Sequence, residues 1–309
     1  MKIGLIGRTS LLLETGKQLN AVGFEIAFII TSKEAPEYSV TSNDFKKFAS
    51  DVGCPFLHDP AISREKVLDL MQGAEVPLVI SINYSGVISK DVTELFPLGI
   101  LNAHGGDLPR YRGNACQAWA ILNGEKRIGL CIHRMVGGEL DSGAILARKY
   151  YPIDINTRIG EVYEWFEKDI PSLFLEVAEK LKSNPTYILE TQSKESSDVM
   201  RCYPRIPEDG RIDWSQSAEQ ILRLINASSE PYSGAFTFDQ KGRKVTIWRA
   251  LLFEDNENYS AVPGQVAQIL EEGVVVITGF RKILLKKIEV DGIRSSPGNY
   301  FKSIRQRFN

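Results

Sequence analysis

The sequence predicts an α/β protein whose parallel sheet carries helices on both faces, followed by a small, mainly β, barrel-like domain. Two observations carry this expectation. Short apolar runs alternate with amphipathic segments over residues 2–182, the pattern of a Rossmann-like sheet. Beyond residue 208 the pattern changes to brief apolar strands parted by Gly or charged turns, as in a small barrel. The expected domains are therefore an α/β region over 1–190, a linker over 191–208 and a β domain over 209–309.

The elements follow in order. Residues 2–7 are largely apolar and end in Gly7, which reads as a first strand opening onto a helix over 11–19. Isoleucine-rich residues 24–31 form a second strand, and 55–57 a short third. Residues 77–82 and 99–104 read as further buried strands, with helices near 42–52, 61–73 and 89–96. A helix over 115–123 ends at Gly124. Residues 129–135 and 144–151 read as strands flanking a turn at Asp141. A long amphipathic stretch, 157–182, closes the first region. Pro204, Pro207 and a polar run at 192–198 mark the linker, with Pro185 shortly before it. The second region offers one helix, 219–227, and strands at 232–238, 244–252, 264–270, 273–278 and 282–290.

Composition bounds the function. Apolar content of 43% and charged content of 25% suit an ordinary globular chain with a sizeable core. No apolar run approaches the roughly 20 residues that cross a bilayer, and the first residues are too short and strand-like for a signal peptide. Both point to a cytoplasmic protein without a membrane partner. Cys54, Cys116, Cys131 and Cys202 are scattered, and with only His58, His104 and His133 no metal-ligand spacing arises. Net charge is −2, and residues 205–309 hold 15 Lys and Arg against 13 Asp and Glu. Nucleic-acid binders draw most of their affinity from a strongly basic face, so no nucleic-acid partner is expected.

The chemistry concentrates at 102–113, Asn-Ala-His-Gly-Gly-Asp-Leu-Pro-Arg-Tyr-Arg-Gly, and at 139–143, Glu-Leu-Asp-Ser-Gly. In a parallel sheet, ligands bind beyond the carboxyl ends of strands, where Asn102 and His104 fall. Asn102 supplies an amide donor, His104 an imidazole and Asp141 a carboxylate. Together they can polarise a carbonyl and manage one proton without a metal or covalent nucleophile. Singly each has an ordinary explanation: a turn residue, a satisfied polar group, an Asx-turn. The weight lies in their conjunction with Pro109, Arg112-Gly113 and Gly143. His133, inside an apolar strand, reads as core, and His58 as a loop residue.

This constellation resembles the folate-dependent formyltransferases, whose signature is Asn-x-His, a loop ending in Pro-x-x-Arg-Gly, and a downstream Asp-x-Gly. The resemblance implies that Asn102, His104 and Asp141 are the catalytic set and that N10-formyltetrahydrofolate is the donor. It implies a pterin held by two loops, through Ile82, Tyr84, Gly86, Val87 and Ile88 and through Met135, Gly137, Gly138 and Leu140. The loop departs from the family's usual Ser-Leu-Leu-Pro, reading Gly105-Gly106-Asp107-Leu108-Pro109. Arg205-Ile-Pro-Glu-Asp-Gly-Arg-Ile-Asp-Trp214 and Ser229-Glu-Pro-Tyr-Ser-Gly-Ala-Phe236 resemble the C-terminal domain of two branches. One formylates methionyl-tRNA; the other formylates nucleotide-linked amino sugars, including the enzyme acting on aminoarabinose for lipid A. The wording here is closer to the sugar branch.

The acceptor expected is thus a nucleotide-linked amino sugar, with methionyl-tRNA as the alternative. A silent nucleotide-binding module that merely keeps the fold, and hydrolysis of the formyl-folate, are lesser readings. Arg8, Thr9 and Ser10 open the first helix, where backbone N–H groups and the dipole favour a diphosphate. A plain helix cap by Thr9 or Ser10 explains them equally well. Arg110 and Tyr111 complete the expected substrate contacts, and Arg112 either binds an anion or braces its own loop. The β-rich second domain could pair with a second chain as a homodimer.

Overall fold

The computed structural model describes residues 1–34, 38–61, 64–84 and 88–309. By its packing the chain divides into two compact units: Met1–Gly113, Gly129–Tyr151 and Glu164–Cys202 form one, and Asn114–Ile128, Pro152–Tyr163 and Tyr203–Asn309 the other.

In chain order the elements up to Cys202 are β1 (Lys2–Gly7), α1 (Ser10–Ala21), β2 (Glu25–Thr31), α2 (Ser42–Val52), β3 (Phe56–His58), α3 (Glu65–Gly73), β4 (Leu78–Ile82), α4 (Lys90–Thr93), β5 (Gly99–His104), β6 (Tyr111–Gly113), α5 (Cys116–Leu122), β7 (Arg127–Arg134), β8 (Ile145–Pro152), α6 (Ile159–Ser183) and β9 (Met200–Cys202). The principal sheet runs β3-β2-β1-β4-β5-β7-β8. Strands β3 to β5 along that order are parallel. Their near-continuous Val, Leu and Ile content is what a sheet covered on both faces demands. Leu5 points toward α1 and α2, where it nears Gly16, while Ile6 joins a core with Val67 and Met71 of α3 and Val92 of α4.

One strand departs from the all-parallel expectation: β7 runs antiparallel to β5, so the sheet is mixed. A parallel neighbour would need a crossover helix lying over the sheet. The intervening α5 packs on α7 (Ala218–Ser228) instead. The strand order reverses between β1 and β4, which opens a crevice at their carboxyl ends.

In the second unit, α7 has a full capping box: Ser217 accepts from the Gln220 N–H, and Gln220 reaches back to the Ser217 N–H. It covers an antiparallel sheet of β10 (Ala235–Phe238), β11 (Lys244–Phe253), β12 (Val266–Leu270), β13 (Gly273–Ile277), β14 (Lys282–Val290) and β15 (Ile293–Ser295), ordered β10-β11-β14-β13-β12 with β15 on β14. The short α8 (Pro297–Tyr300) follows. Ile221, Leu222 and Ile225 of α7 meet Val245, Val274 and Leu285 in its core. The two edge strands are met by the same tail: Phe308 N bonds Gly264 O beside β12, and Asn309 N bonds Phe238 O of β10. The tail thus bridges both edges of this antiparallel β domain.

The stretch 191–208, expected as a linker, is tied to the first unit over its early part. There β9 pairs in parallel with β6. Among the described residues no helix is long and apolar enough to cross a membrane.

Gly7 sits where β1 and β4 end side by side, and a Cβ there would fall 2.0 Å from the Ile82 carbonyl oxygen. Gly7→Ala should therefore lower the unfolding free energy by about 2 kcal/mol through forced backbone movement. Urea titration followed by circular dichroism checks this, and an unchanged midpoint refutes it.

Candidate active site

Asn102 and His104 stand two residues apart on β5 and so share one face of the sheet. The antiparallel register sets His133 directly opposite Asn102 and Cys131 opposite His104. Both imidazoles therefore meet on that face, with centroids 6.1 Å apart and planes at 84°. Asp141 arrives from the bend after β7 in the left-handed region, at φ 48°. Its Oδ2 lies 3.5 Å from His104 Nδ1 and its Oδ1 3.5 Å from His133 Nε2. Asn102 Nδ2 is 3.3 Å from the same His133 nitrogen. The three expected residues come together, and a fourth joins them.

Three consecutive residues of β6 complete the arrangement. His104 Nε2 lies 2.6 Å from the Tyr111 carbonyl oxygen, which can only accept. That nitrogen therefore carries the proton, leaving Nδ1 as the basic nitrogen of the neutral ring, facing Asp141. Arg112 Nη2 donates to Gln192 Oε1 at 2.8 Å. The Gly113 N–H donates to Asp141 Oδ2 at 2.9 Å. Gly106 is dictated by the same geometry: a Cβ there would meet Tyr111 O at 2.4 Å and His104 Nε2 at 2.6 Å. Beneath the loop, Arg148 donates to Asp107 Oδ1 (2.6 Å), Leu108 O (2.8 Å) and both oxygens of Glu190.

Electrostatics follow from burial. Desolvation pushes the Asp141 carboxyl upward, but hydrogen bonding to His133, the charges of His104 and His133, and the Gly113 N–H outweigh it and hold the group at about 2. Desolvation also dominates at His104, lowering its imidazole despite the opposing pull of Asp141. A neutral ring beside an ionised carboxylate is the state at neutral pH. Burial raises the Cys131 thiol to about 11, and it donates to Gly106 O at 3.4 Å. That thiol packs; it is no nucleophile.

The remaining predicted residues are placed as follows. Ile82 and Ile88 are buried apolar side chains, and Gly86 and Val87 lie outside the described residues. Tyr84 donates its hydroxyl to Asp59 O at 2.9 Å, and burial raises the phenol to about 12. Met135 N bonds Ile100 O at 2.7 Å. Gly137 presses on the other expected loop, since a Cβ there would fall 2.2 Å from Lys90 Cα. Gly138 adopts φ 82° beside open space, and Leu140 is exposed. Arg8 braces the crevice through Asn83 O (2.9 Å) and Lys33 O (3.1 Å). Thr9 is the N-cap of α1, with a buried hydroxyl that has no partner among the described residues, and Ser10 is the first helical residue. Arg110 lies over the Tyr111 ring at 5.1 Å. That ring is buried, so Tyr111 meets the site through its carbonyl.

His133 is the residue that sequence reasoning passed over. It is buried as expected of a core position, yet it faces Asn102 and Asp141 and bonds Arg134 O through Nδ1 at 3.1 Å. The one signal was register: pairing β5 antiparallel to β7 places 133 opposite 102, and a parallel assumption hides it.

Residues 1–178 match the Formyl transferase family and residues 205–305 the Formyl transferase C-terminal domain. The chain is therefore a member of the formyltransferase family, with both of its characteristic domains. It is 26% identical over 296 residues to the methionyl-tRNA formyltransferase of Ruminiclostridium cellulolyticum, covering 94% of this chain and 92% of that one. Among solved structures it resembles an N-formyltransferase from Helicobacter canadensis in complex with folinic acid and dTDP-3-aminofucose, with TM-score 0.65, 16% identity, and coverage of 93% and 99% of the two chains. It also resembles HypX from Aquifex aeolicus in complex with tetrahydrofolic acid, with TM-score 0.61 and 19% identity over 98% of this chain. The match spans 47% of the HypX chain, about half its length.

The folded value of Asp141, about 2, lies below the ordinary 3.8, so its charge stabilises the fold above about pH 4 and that contribution fades as pH falls toward 2. The stability gap between wild type and Asp141→Asn should be about 2 kcal/mol at pH 7 and about 1 kcal/mol at pH 3. Urea unfolding at the two pH values measures it, and a pH-independent gap contradicts the assignment.

Proposed function

We propose that this formyltransferase moves a formyl group from N10-formyltetrahydrofolate to the amine of a nucleotide-linked amino sugar. A 4-amino-4,6-dideoxyhexose on UDP or dTDP is the first acceptor to test. The observation that carries the reaction type is the Asp141 carboxylate set 3.5 Å from each of two imidazoles, with the Asn102 amide against one of them. The donor presents an electrophilic formyl carbon, and every other requirement falls on the chain.

Asn102 holds His133 with one amide hydrogen and offers the other to the oxyanion of the tetrahedral intermediate. His104 receives the amine proton at Nδ1, because Nε2 is committed to the Tyr111 carbonyl, and gives it to N10 of the folate as the tetrahedral intermediate collapses and the bond between the formyl carbon and N10 breaks. Asp141 stabilises the imidazolium so formed, while the Tyr111 carbonyl keeps the proton of the neutral ring on Nε2. His133 orients the Asn102 amide. The backbone around Gly137 and Gly138, pressed against Ser89 and Lys90, is suited to a flat pterin ring, with open space beside Gly138. At the crevice between β1 and β4, the Thr9 hydroxyl, without a partner among the described residues, and the amides opening α1 suit a diphosphate. Arg8, tied to two loop carbonyls, holds that crevice in shape.

A second reading, formylation of methionyl-tRNA, is favoured by the similarity to the Ruminiclostridium cellulolyticum enzyme of that name. Against it stands the near balance of 15 basic and 13 acidic residues over 205–309. Purified protein with N10-formyltetrahydrofolate and a panel of UDP- and dTDP-linked amino sugars decides between them, beside charged initiator tRNA. Transfer to tRNA alone overturns the sugar reading. On the accepted sugar, Asn102→Ala and His104→Ala should each cut turnover about a hundredfold or more. Wild-type turnover should fall on acidification as His104 Nδ1 fills, with the limb below the ordinary histidine range because burial lowers that imidazole. Near-normal rates in either variant would sink the mechanism.

A further inference from the structure

Gln192 lies in the stretch expected as a linker, yet it is only 5% exposed and all its polar positions are used. Its Nε2 donates to the carbonyl oxygens of Asp141 and Gly143, each at 2.7 Å. Its Oε1 accepts from Arg112 Nη2 at 2.8 Å, and the same guanidinium nitrogen reaches Ser193 O at 3.5 Å. The bend it grips is demanding. Asp141 sits at φ 48°, and Gly143 lies so close to Arg134 O that a Cβ would approach it to 1.9 Å. A non-glycine residue in the left-handed region costs about 1 kcal/mol or more and persists only when its surroundings over-determine it. Two buried carbonyls at such a bend also need donors.

We propose that Gln192 is a positioning residue: its amide ties the Asp141 bend to Arg112 and thereby fixes the carboxylate between the two imidazoles. Arg112 then braces the bend through Nη2. Its neighbours Tyr111 and Gly113 bind His104 and Asp141, so one strand sets both partners in a common frame. This inference rests on the proposed role of Asp141 beside His104.

The test reads the ring itself. Full-length protein labelled with 13C-histidine is titrated by NMR in wild type, Asp141→Asn, Gln192→Met and Gln192→Asn, with His104 assigned by its absence in His104→Ala. His104 is faced by Asp141, His133 and Arg112, and of these Asp141 is the group that raises its titration point. Asp141→Asn should shift the curve to lower pH. Gln192→Met keeps length without an amide, and Gln192→Asn keeps the amide one carbon short. Both are uncharged, and each should shift the curve in the same direction by at least about half as much. If Asp141→Asn leaves the curve in place, the reading of Asp141 itself fails. If it moves and both Gln192 variants titrate like wild type, even with a lowered melting temperature, Gln192 is merely structural and the inference is overturned. Should Gln192→Met not fold, the Gln192→Asn curve decides alone.

Discussion

A single carboxylate taken out of water sets the terms for this site. An ionised Asp141 with most of its surface buried costs several kcal/mol unless hydrogen bonds and opposite charge replace its hydration. The Gly113 N–H supplies a hydrogen bond, the two imidazoles supply opposite charge when protonated, and each in turn constrains the chain. Gly113 must approach closely, which puts it at φ 105° with no room for a Cβ against Cys202 O. The β6–β9 pairing holds it there, so the first unit draws the 200–202 segment into its structure. The left-handed Asp141, the close Gly143 and the buried Gln192 follow from the same need.

The loop that carries β6 is anchored from below by charge. Arg148 is a mostly buried guanidinium that binds Asp107, Leu108 O and Glu190 at once. Such a cation is tolerable only with its donors satisfied, and here both carboxylates turn inward to it. The unusual Gly-Gly-Asp-Leu-Pro wording thereby has an internal reason. Asp107 neutralises Arg148, and Gly106 clears space for the His104 ring. Gly129 on β7 serves the same approach, since its Cβ would lie 2.6 Å from Asp107 Cα. The departure from the family's loop thus concerns how the loop is held, and Asp107 is spent on Arg148.

The two histidines divide their labour through tautomers. His104 must donate from Nε2 to a carbonyl, so its free base is Nδ1, beside Asp141. His133 has a carbonyl at Nδ1, which leaves Nε2 to accept from the Asn102 amide, with Asp141 Oδ1 3.5 Å away. Burial keeps the first ring neutral at neutral pH, and protonation would pair it with the adjacent carboxylate. Fixed dipoles of this kind need no rearrangement during reaction, which is the advantage of preorganisation.

The sequence by itself determined the alternation of apolar strands and helices, the change of pattern near residue 209, and the Asn102, His104, Asp141 constellation. These are local or motif-level signals: side-chain periodicity, turn residues and a resemblance over short spans. Tertiary structure alone decided the antiparallel β7, which lifts His133 out of an ordinary core role. It also decided that Arg8 faces loop carbonyls, that Tyr111 contributes its carbonyl instead of its ring, and that a polar stretch resembling a linker supplies Gln192. Each of these depends on which group lies opposite which side chain across 7 to 80 residues of chain. Hydrogen-bond partners at such separations are chosen by strand register and by the desolvation of Asp141, and neither leaves a trace in spacing or composition.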